Sequence, residues 1–321
     1  NTWLFGSQNM RILISAFLLL LSPFVLAKEI PDYPAKKIAP HTYMIEGPLG
    51  LPNAKNKGFM NNPVFVVTKT GVVVIDPGTS VYTGRMVLRQ IRKVTKNPVT
   101  HVLDTHIHGD HWLGNQAFSE AYPKAILMAH PKMIAQANAG EAKQWLSLMS
   151  QLTKGATDGT KAVVPDKAID NQHQFKTGGI TFKILAPKKA HSGTDIMIHI
   201  VEDKVLVLGD NVLHKRIGRM DDATFRGNIN ACDVAINSGA KVFVPGHGPS
   251  GDVHIVKKYR TYLSTIFESV KVYIDEGLND YEMKAKIHEK LEPFIRWSGY
   301  KDQLGKHISL AMLEAEKAMF E

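Results

Sequence analysis

The strongest restriction on the fold of this chain comes from six residues, 106–111, which read His-Ile-His-Gly-Asp-His. A lone histidine usually has a structural role, but three imidazoles and a carboxylate at this spacing indicate a metal site. His106 and His108 can direct two rings at one ion, while Asp110 and His111 are placed for a second ion. The segment follows the strand-like residues 100–104, so the predicted ligands stand at the end of a strand.

Three later side chains of the same chemical kind also follow apolar strands. They are His191, Asp210 and His247. Ligands and substrates in sheet-based enzymes collect at strand ends. We therefore expect four loops to converge on one edge of the sheets.

The pattern along the chain predicts a mixed α/β fold. β-Branched runs at 41–47 and 63–78 predict strands, the apolar spacing over 81–94 predicts a helix, and a longer helical segment is predicted over 131–152. Strands and helices continue to alternate as far as residue 246, and helical stripes follow from residue 252. We predict one domain over 28–250, with sheets covered by helices, and a C-terminal helical extension over 251–321 that packs on the same domain.

Residues 10–27 predict a secretory signal peptide. Arg11 precedes an apolar run over 12–21, and the segment ends in Val-Leu-Ala at 25–27, which suits a cleavage site. The apolar run is short for a membrane span, although an uncleaved N-terminal anchor is the alternative. Cleavage after Ala27 predicts an exported protein, periplasmic or secreted, with no stable membrane insertion.

Composition narrows the class of partner. Hydrophobic residues make up 44% and charged residues 21%, which is typical of globular proteins. The formal net charge is +9, but the basic residues are scattered without interleaved aromatic residues, so we predict a solvated surface and no nucleic-acid partner. The single cysteine, Cys232, can form no internal disulfide. We expect a small-molecule substrate, and the sequence does not indicate an oligomeric state.

These motifs, taken in order, resemble the metallo-β-lactamase superfamily over roughly residues 40–250. The resemblance implies a four-layer αββα sandwich. The segments "AHSGTD" and "LGDNV" look most similar to the exported glyoxalase II-like and quinoprotein-relay-type hydrolases of that superfamily. The motif "HSGTD" differs from the motif that is common in glyoxalase II. This difference argues against a glutathione thioester as the substrate. Asp210 stands where one large class of zinc β-lactamases has a cysteine, which argues against that class.

The resemblance also implies a set of ligands for two divalent ions, which we expect to be Zn²⁺. The first ion would be held by His106, His108 and His191, and the second by Asp110, His111 and His247. Asp210 would bridge the two ions. Asp76, at the end of an early strand, would support the metal loop, although an aspartate before Pro-Gly is also a common turn residue.

Candidate substrate contacts are few. Trp112 can pack beside a substrate or support its own loop. Arg216 and Arg219, with Arg226 nearby, can clamp an anionic group or serve as surface arginines. Residues 294–300 fold back over the site or join two helices.

The predicted activity is hydrolysis by an exported dinuclear zinc enzyme. A metal-bridging hydroxide would attack a carbonyl group of a lactam, lactone, ester or thioester, and Asp110 would orient the nucleophile or return a proton to the leaving group. The alternatives are a β-lactamase proper and an oxidoreductase, a mononuclear iron enzyme of the persulfide-dioxygenase type. The complete second ligand set favours two metals.

Overall fold

The computed structural model describes residues 29–319 and builds them around two β-sheets. The predicted signal peptide at 10–27 lies outside the described residues. In the described part, no helix combines the length and the apolar character needed to cross a membrane.

The first sheet has seven strands in chain order. They are β1 (Ala35–Lys37), β2 (Thr42–Ile45), β3 (Val64–Val67), β4 (Val72–Ile75), β5 (Val99–Asp104), β6 (Ile126–Ala129) and β7 (Lys167–Ala168). Strands β1 to β4 pair antiparallel, and β4 to β7 pair parallel. The carboxyl ends of β4, β5 and β6 therefore meet at one edge.

The second sheet has five strands in the order β12-β11-β10-β9-β8. They are β8 (Gln174–Thr177), β9 (Ile180–Leu185), β10 (Met197–Ile200), β11 (Val205–Gly209) and β12 (Val242–Pro245). Only β11 and β12 pair parallel, and the other neighbours pair antiparallel. As a result β9, β11 and β12 run in the same direction and end at the same edge.

Helices cover the outer faces of the two sheets. The α-helices are α1 (Val81–Val94), α2 (Gly109–Trp112), α3 (Asn115–Ala121), α4 (Pro131–Gln136), α5 (Ala142–Leu152), α6 (Phe225–Ile236), α7 (Val253–Asp275), α8 (Asp280–Lys290) and α9 (Tyr300–Ala318). The long helix predicted over 131–152 is interrupted by a wide turn at Ala137–Glu141, where Gly140 adopts a φ of 121°. That backbone conformation favours glycine and ends the regular helix.

Alternating side chains divide each sheet between two cores, which produces four layers. Val64 and Val66 of β3 face the second sheet and pack in the same cluster as Phe182 and Ile198. Phe65, between them, faces the helix α1 side. Because successive strand residues point to opposite faces, the central strands of each sheet are buried on both sides, and the αββα sandwich expected from the sequence is confirmed.

The C-terminal helices pack on the outer face of the second sheet. Leu206 of β11 shares a buried cluster with Tyr262 of α7 and Ile308 of α9. His307 is fully buried: its Nδ1 accepts from the Tyr262 hydroxyl at 2.9 Å, and its Nε2 donates to the Gly218 carbonyl at 3.0 Å. The extension is thus attached to the segment that follows β11, while the exact domain boundary at residue 250 stays a prediction.

His307 makes a prediction about stability. Burial lowers the pKa of its imidazole from the usual value of 6.5 to about 4. Between pH 4 and pH 6.5 this imidazole therefore binds a proton in the unfolded chain but not in the folded chain. The contribution of neutral His307 to stability is fully present above pH 6.5 and is lost as the pH falls towards 4. The loss amounts to roughly 3 kcal/mol. We expect a shallower fall in the unfolding free energy of His307→Gln, measured by urea denaturation from pH 7 to 4.

The control for this comparison is His254→Gln, because His254 is exposed on the first turn of α7. Its unfolding free energy should follow the wild-type slope with pH. Equal slopes for wild type and His307→Gln would contradict the assignment of this acid sensitivity to His307.

Candidate metal centre

The candidate ligands lie at the common edge where strands of both sheets end. His106 follows β5, and helix α2 carries Asp110 and His111. Asp210 directly follows β11, and His247 follows β12 by two residues. The convergence of loops expected from the sequence is therefore present in the fold.

The side chains form two adjacent groups. In each group the candidate ligand atoms lie within 4.8 Å of one another. The first group is His106, His108, His191 and Asp210, and the second is Asp110, His111 and His247. Both groups combine residues from the first sheet with residues from the second.

Asp210 lies between the two groups. Its Oδ2 is 3.5 Å from His191 Nε2 in the first group. Its Oδ1 is 3.2 Å from His111 Nε2 and 3.4 Å from His247 Nε2 in the second. A Cβ atom on Gly246 would approach Asp210 Oδ1 to 1.8 Å, so only glycine lets the β12 loop pass this carboxylate. The arrangement fits a carboxylate shared by two ions.

Several nitrogen and oxygen atoms that point into the centre have no hydrogen-bond partner. Such atoms show whether the residues fit a metal, because a bound ion would satisfy them. His106 Nε2, His111 Nε2 and Asp210 Oδ1 are buried without a hydrogen bond. Leaving buried polar atoms unsatisfied is costly. Imidazole nitrogens and carboxylate oxygens at this spacing are donors that suit divalent ions such as zinc, so the residues present fit a metal.

The outward nitrogens of the same rings are held by hydrogen bonds. His111 Nδ1 donates to Asp76 Oδ2 at 2.7 Å, and His247 Nδ1 donates to the Met60 carbonyl at 2.8 Å. His106 Nδ1 lies 3.0 Å from Thr105 Oγ1, whose hydroxyl donates to Asp76 at 2.7 Å. A proton on the outward nitrogen leaves the inward Nε2 lone pair free to bind a metal.

Asp76 therefore supports the ligand loop from two directions. Besides its contacts with His111 and the Thr105 hydroxyl, it accepts from the Thr105 backbone N–H at 2.8 Å. Its φ of 53° is in the left-handed region, which is strained for a residue with a Cβ atom and is found at functional sites. Asp76 thus turns the chain and also contacts His111 and Thr105, while its support of bound metal ligands stays a prediction.

Burial keeps two histidines of the first group neutral. Burial lowers the pKa of His191 to about 3. Burial, reinforced by the neighbouring His111 and His108, holds the pKa of His106 well below its usual value. Neutral imidazole is the form that binds a metal.

In the second group, neighbouring charges outweigh burial in shifting the pKa values. Burial opposes a charge on His111, but the carboxylates of Asp110 and Asp210 outweigh burial and raise its pKa. Burial likewise opposes ionisation of Asp110, but His111 and His247 lower its pKa. The centre therefore carries ionised carboxylates whose field favours positive charge at this position.

Comparison with known proteins identifies the family. Residues 56–247, more than half of the chain, match the family described as the metallo-beta-lactamase superfamily. The chain belongs to this superfamily.

Solved structures of the superfamily share the fold. A metallo-beta-lactamase from Pontibacter korlensis is 21% identical with a TM-score of 0.58, over 72% of this chain and 98% of its own. A metallo-beta-lactamase from Hirschia baltica is 17% identical with a TM-score of 0.55, over 73% of this chain and 98% of its own. The stereoselective inverting sec-alkylsulfatase Pisa1 from Pseudomonas sp. is 14% identical with a TM-score of 0.66. That likeness covers 87% of this chain, which spans about half the length of the sulfatase.

The superfamily centre opens into a cavity of about 420 Å³. Apolar and charged side chains both line it. The apolar lining residues include Leu51, Met60, Trp145, Leu148, Met149 and Leu152. The basic residues are Arg216, Arg219 and Lys306, and the acidic residues outside the two groups are Asp221, Asp222 and Asp302. Ser298 and Gly299 also line the cavity, so the segment 294–300 does fold back towards the site.

Trp112 does not reach this cavity. Its side chain is fully buried in a cluster with Met133, and its Nε1 donates to the Ile107 carbonyl at 2.7 Å. The prediction that Trp112 packs beside a substrate is therefore wrong, because the ring supports the ligand loop from behind. Trp145 of α5, which is half-buried, lines the cavity instead, and only tertiary packing brings it there.

The two predicted arginines differ in their surroundings. Arg219 is half exposed and pairs with Asp221 at 2.7 Å. Arg216 is buried, follows Lys215 in the left-handed region at φ 60°, and lies 3.1 Å from His247 Nδ1. Among residues 29–319, no carboxylate lies within salt-bridge distance of the Arg216 guanidinium. Burial lowers its pKa and outweighs the opposing effect of the Asp210 and Asp110 carboxylates, which make no salt bridge with it.

Proposed function

We propose that the chain is an exported, dinuclear zinc-dependent hydrolase that attacks a carbonyl group in a lactam, lactone, ester or thioester. The observation that carries this proposal is the Asp210 carboxylate, which faces both ligand groups with its two oxygens. The superfamily and the His/Asp donor set support divalent metals, and imidazole and carboxylate groups are common ligands of zinc.

The residues of the chain would divide the work. Zinc ions held by the two groups would lower the pKa of a bound water and polarise the substrate carbonyl. Asp110 lines the cavity and contacts His247 Nε2 at 3.1 Å. Its ionised carboxylate is placed to orient the nucleophile and to pass a proton to the leaving group.

Arg216 supports a substrate with an anionic group. A buried guanidinium without a carboxylate is costly unless an anion joins it. The nearby carboxylates, Asp110 and Asp210, belong to the ligand groups. We propose that a carboxylate or a similar anion of the substrate contacts Arg216, while an apolar part lies against Trp145 and Leu148.

A second candidate function is hydrolysis of a sulfate ester. It is favoured by the same guanidinium, which suits a sulfate group. The fold likeness to the sec-alkylsulfatase, which extends over 87% of this chain, also supports it. A β-lactamase proper remains the alternative among carbonyl substrates.

Metal stoichiometry tests the proposal. The protein would be purified without added metal and without a polyhistidine tag, and its metals counted by elemental mass spectrometry. We expect about two zinc ions per chain, as in two-metal hydrolases, and turnover on a panel of lactams, lactones, thioesters and secondary alkyl sulfates. Turnover of the sulfates alone would select the second candidate. One iron per chain with oxygen consumption on a thiol substrate would support the oxidoreductase alternative instead.

Export is a proposal that rests on residues 10–27. A fusion of these residues to a reporter enzyme that is active only outside the cytoplasm would test it. An inactive reporter would contradict export.

A further inference from the structure

His108 differs from the other histidines of the centre in what holds its outward nitrogen. It turns Nδ1 inward, 3.0 Å from His191 Nε2, and its outward Nε2 lies 3.1 Å from Asp222 Oδ2. The outward contacts of His106, His111 and His247 go to buried groups. The side chain of Asp222 is 60% exposed. The first ligand group therefore depends on a carboxylate at the surface.

The His108 ring has contacts on its face as well as at its edge. The Trp145 ring lies 5.0 Å from it, centroid to centroid, at an angle of 48°. A ring held in this way can still exchange its two tautomers. The Asp222 carboxylate can only accept, so it requires the proton on Nε2 and leaves the Nδ1 lone pair directed at the site.

Asp222 is carried by the segment 211–224, which is attached on two sides. On one side the Ile217 N–H donates to the Ser298 carbonyl at 2.7 Å, and the Ser298 N–H donates to the Lys215 carbonyl at 3.0 Å. On the other side Thr224 donates from its backbone to the Ala190 carbonyl at 2.8 Å, next to His191. The C-terminal helices and the His191 loop together fix where Asp222 stands.

We propose that Asp222 is a positioning residue of the first metal site: its carboxylate fixes the orientation and the tautomer of His108 and thereby strengthens zinc binding by the first ligand group. The inference rests on the proposed function, because it assumes that this group binds zinc. Among the candidate ligands, His108 is the one that Asp222 contacts. Asp222 therefore acts on the metal site through the His108 ring.

The test compares Asp222→Ala, Asp222→Asn and Asp222→Glu with wild type. Zinc affinity of each ligand group would be measured by competition with a chelator of known affinity. The coordination of the bound ion would be compared by visible absorption of the Co²⁺-substituted proteins. In Asp222→Ala, zinc affinity of the first group should fall by about 10- to 100-fold, with a changed Co²⁺ spectrum. Asparagine keeps an acceptor without the charge and should lose less, and glutamate should restore part of the affinity.

The chain offers a matched control in Asp252, an exposed aspartate that contacts His254 Nδ1 at 2.9 Å outside the centre. Asp252→Asn should bind two zinc ions with wild-type affinities. Zinc binding by the second group serves as an internal control for folding in each Asp222 variant, since its ligands do not contact Asp222. Equal first-group affinities in wild type and Asp222→Ala would overturn the role of Asp222 and leave the proposed function intact. A wild-type protein that binds no divalent metal would overturn both.

Discussion

Under the proposed function, Asp210→Asn is expected to lose at least one of the two zinc ions and to lower the hydrolysis rate by about a thousandfold or more. The carboxylate faces His191 with one oxygen and His111 and His247 with the other. An amide is neutral and offers only one oxygen, so it cannot serve two cations equally. Elemental mass spectrometry and initial rates on the best substrate of the panel would measure both effects.

The matched control is Asp233→Asn, because Asp233 lies on α6 and pairs with Arg260 away from the cavity. It should retain both metals and the wild-type rate. An Asp210→Asn protein with two metals and a wild-type rate would show that the carboxylate is not shared between the ions.

Arg216→Met is expected to raise KM for anionic substrates by about a hundredfold, the typical loss when a buried charge contact is removed. Neutral analogues of the same substrates should change little, because they have no group for the guanidinium to hold. The stability of the free protein should stay equal or rise, since methionine replaces a buried cation that has no carboxylate partner. Steady-state kinetics on paired substrates and thermal unfolding would measure the two effects.

Arg260→Met provides the comparison, because it removes a partly exposed guanidinium paired with Asp233. Its KM values should match wild type for both members of each substrate pair. A uniform rise of KM in Arg216→Met for anionic and neutral substrates would contradict an anion contact and indicate distortion of the adjacent His247.

Most side chains of the two groups could be predicted from the sequence because they follow regular local patterns. His106, His108, Asp110 and His111 lie within one six-residue segment, and the later ligands follow apolar strands that are recognisable without the fold. Helix α1 was confirmed at its predicted bounds for the same reason, since its apolar spacing is local.

The contacts that the sequence did not reveal are those made by folding of distant segments. Asp222 contacts His108 across 114 positions in the chain, and Trp145 lines the cavity from helix α5, which follows the wide turn at Gly140. The prediction for Trp112 was wrong for a related reason. Its position next to the motif suggested a contact with the substrate, but its indole N–H donates to the Ile107 carbonyl. Adjacency in sequence does not determine which side of a loop a ring occupies.

Each of the two ligand groups joins residues from both sheets, so metal binding would affect the folding stability of the protein as well as its activity. An ion bound in either group would fasten one sheet to the other at their shared edge. A ligand that binds only the folded chain stabilises it by an amount that grows with the logarithm of the free ligand concentration, about 2.7 kcal/mol at one hundred times its Kd. Folding and metal supply would then be one linked equilibrium, so the amount of active protein in a metal-poor compartment would fall with free zinc even at a constant rate of synthesis.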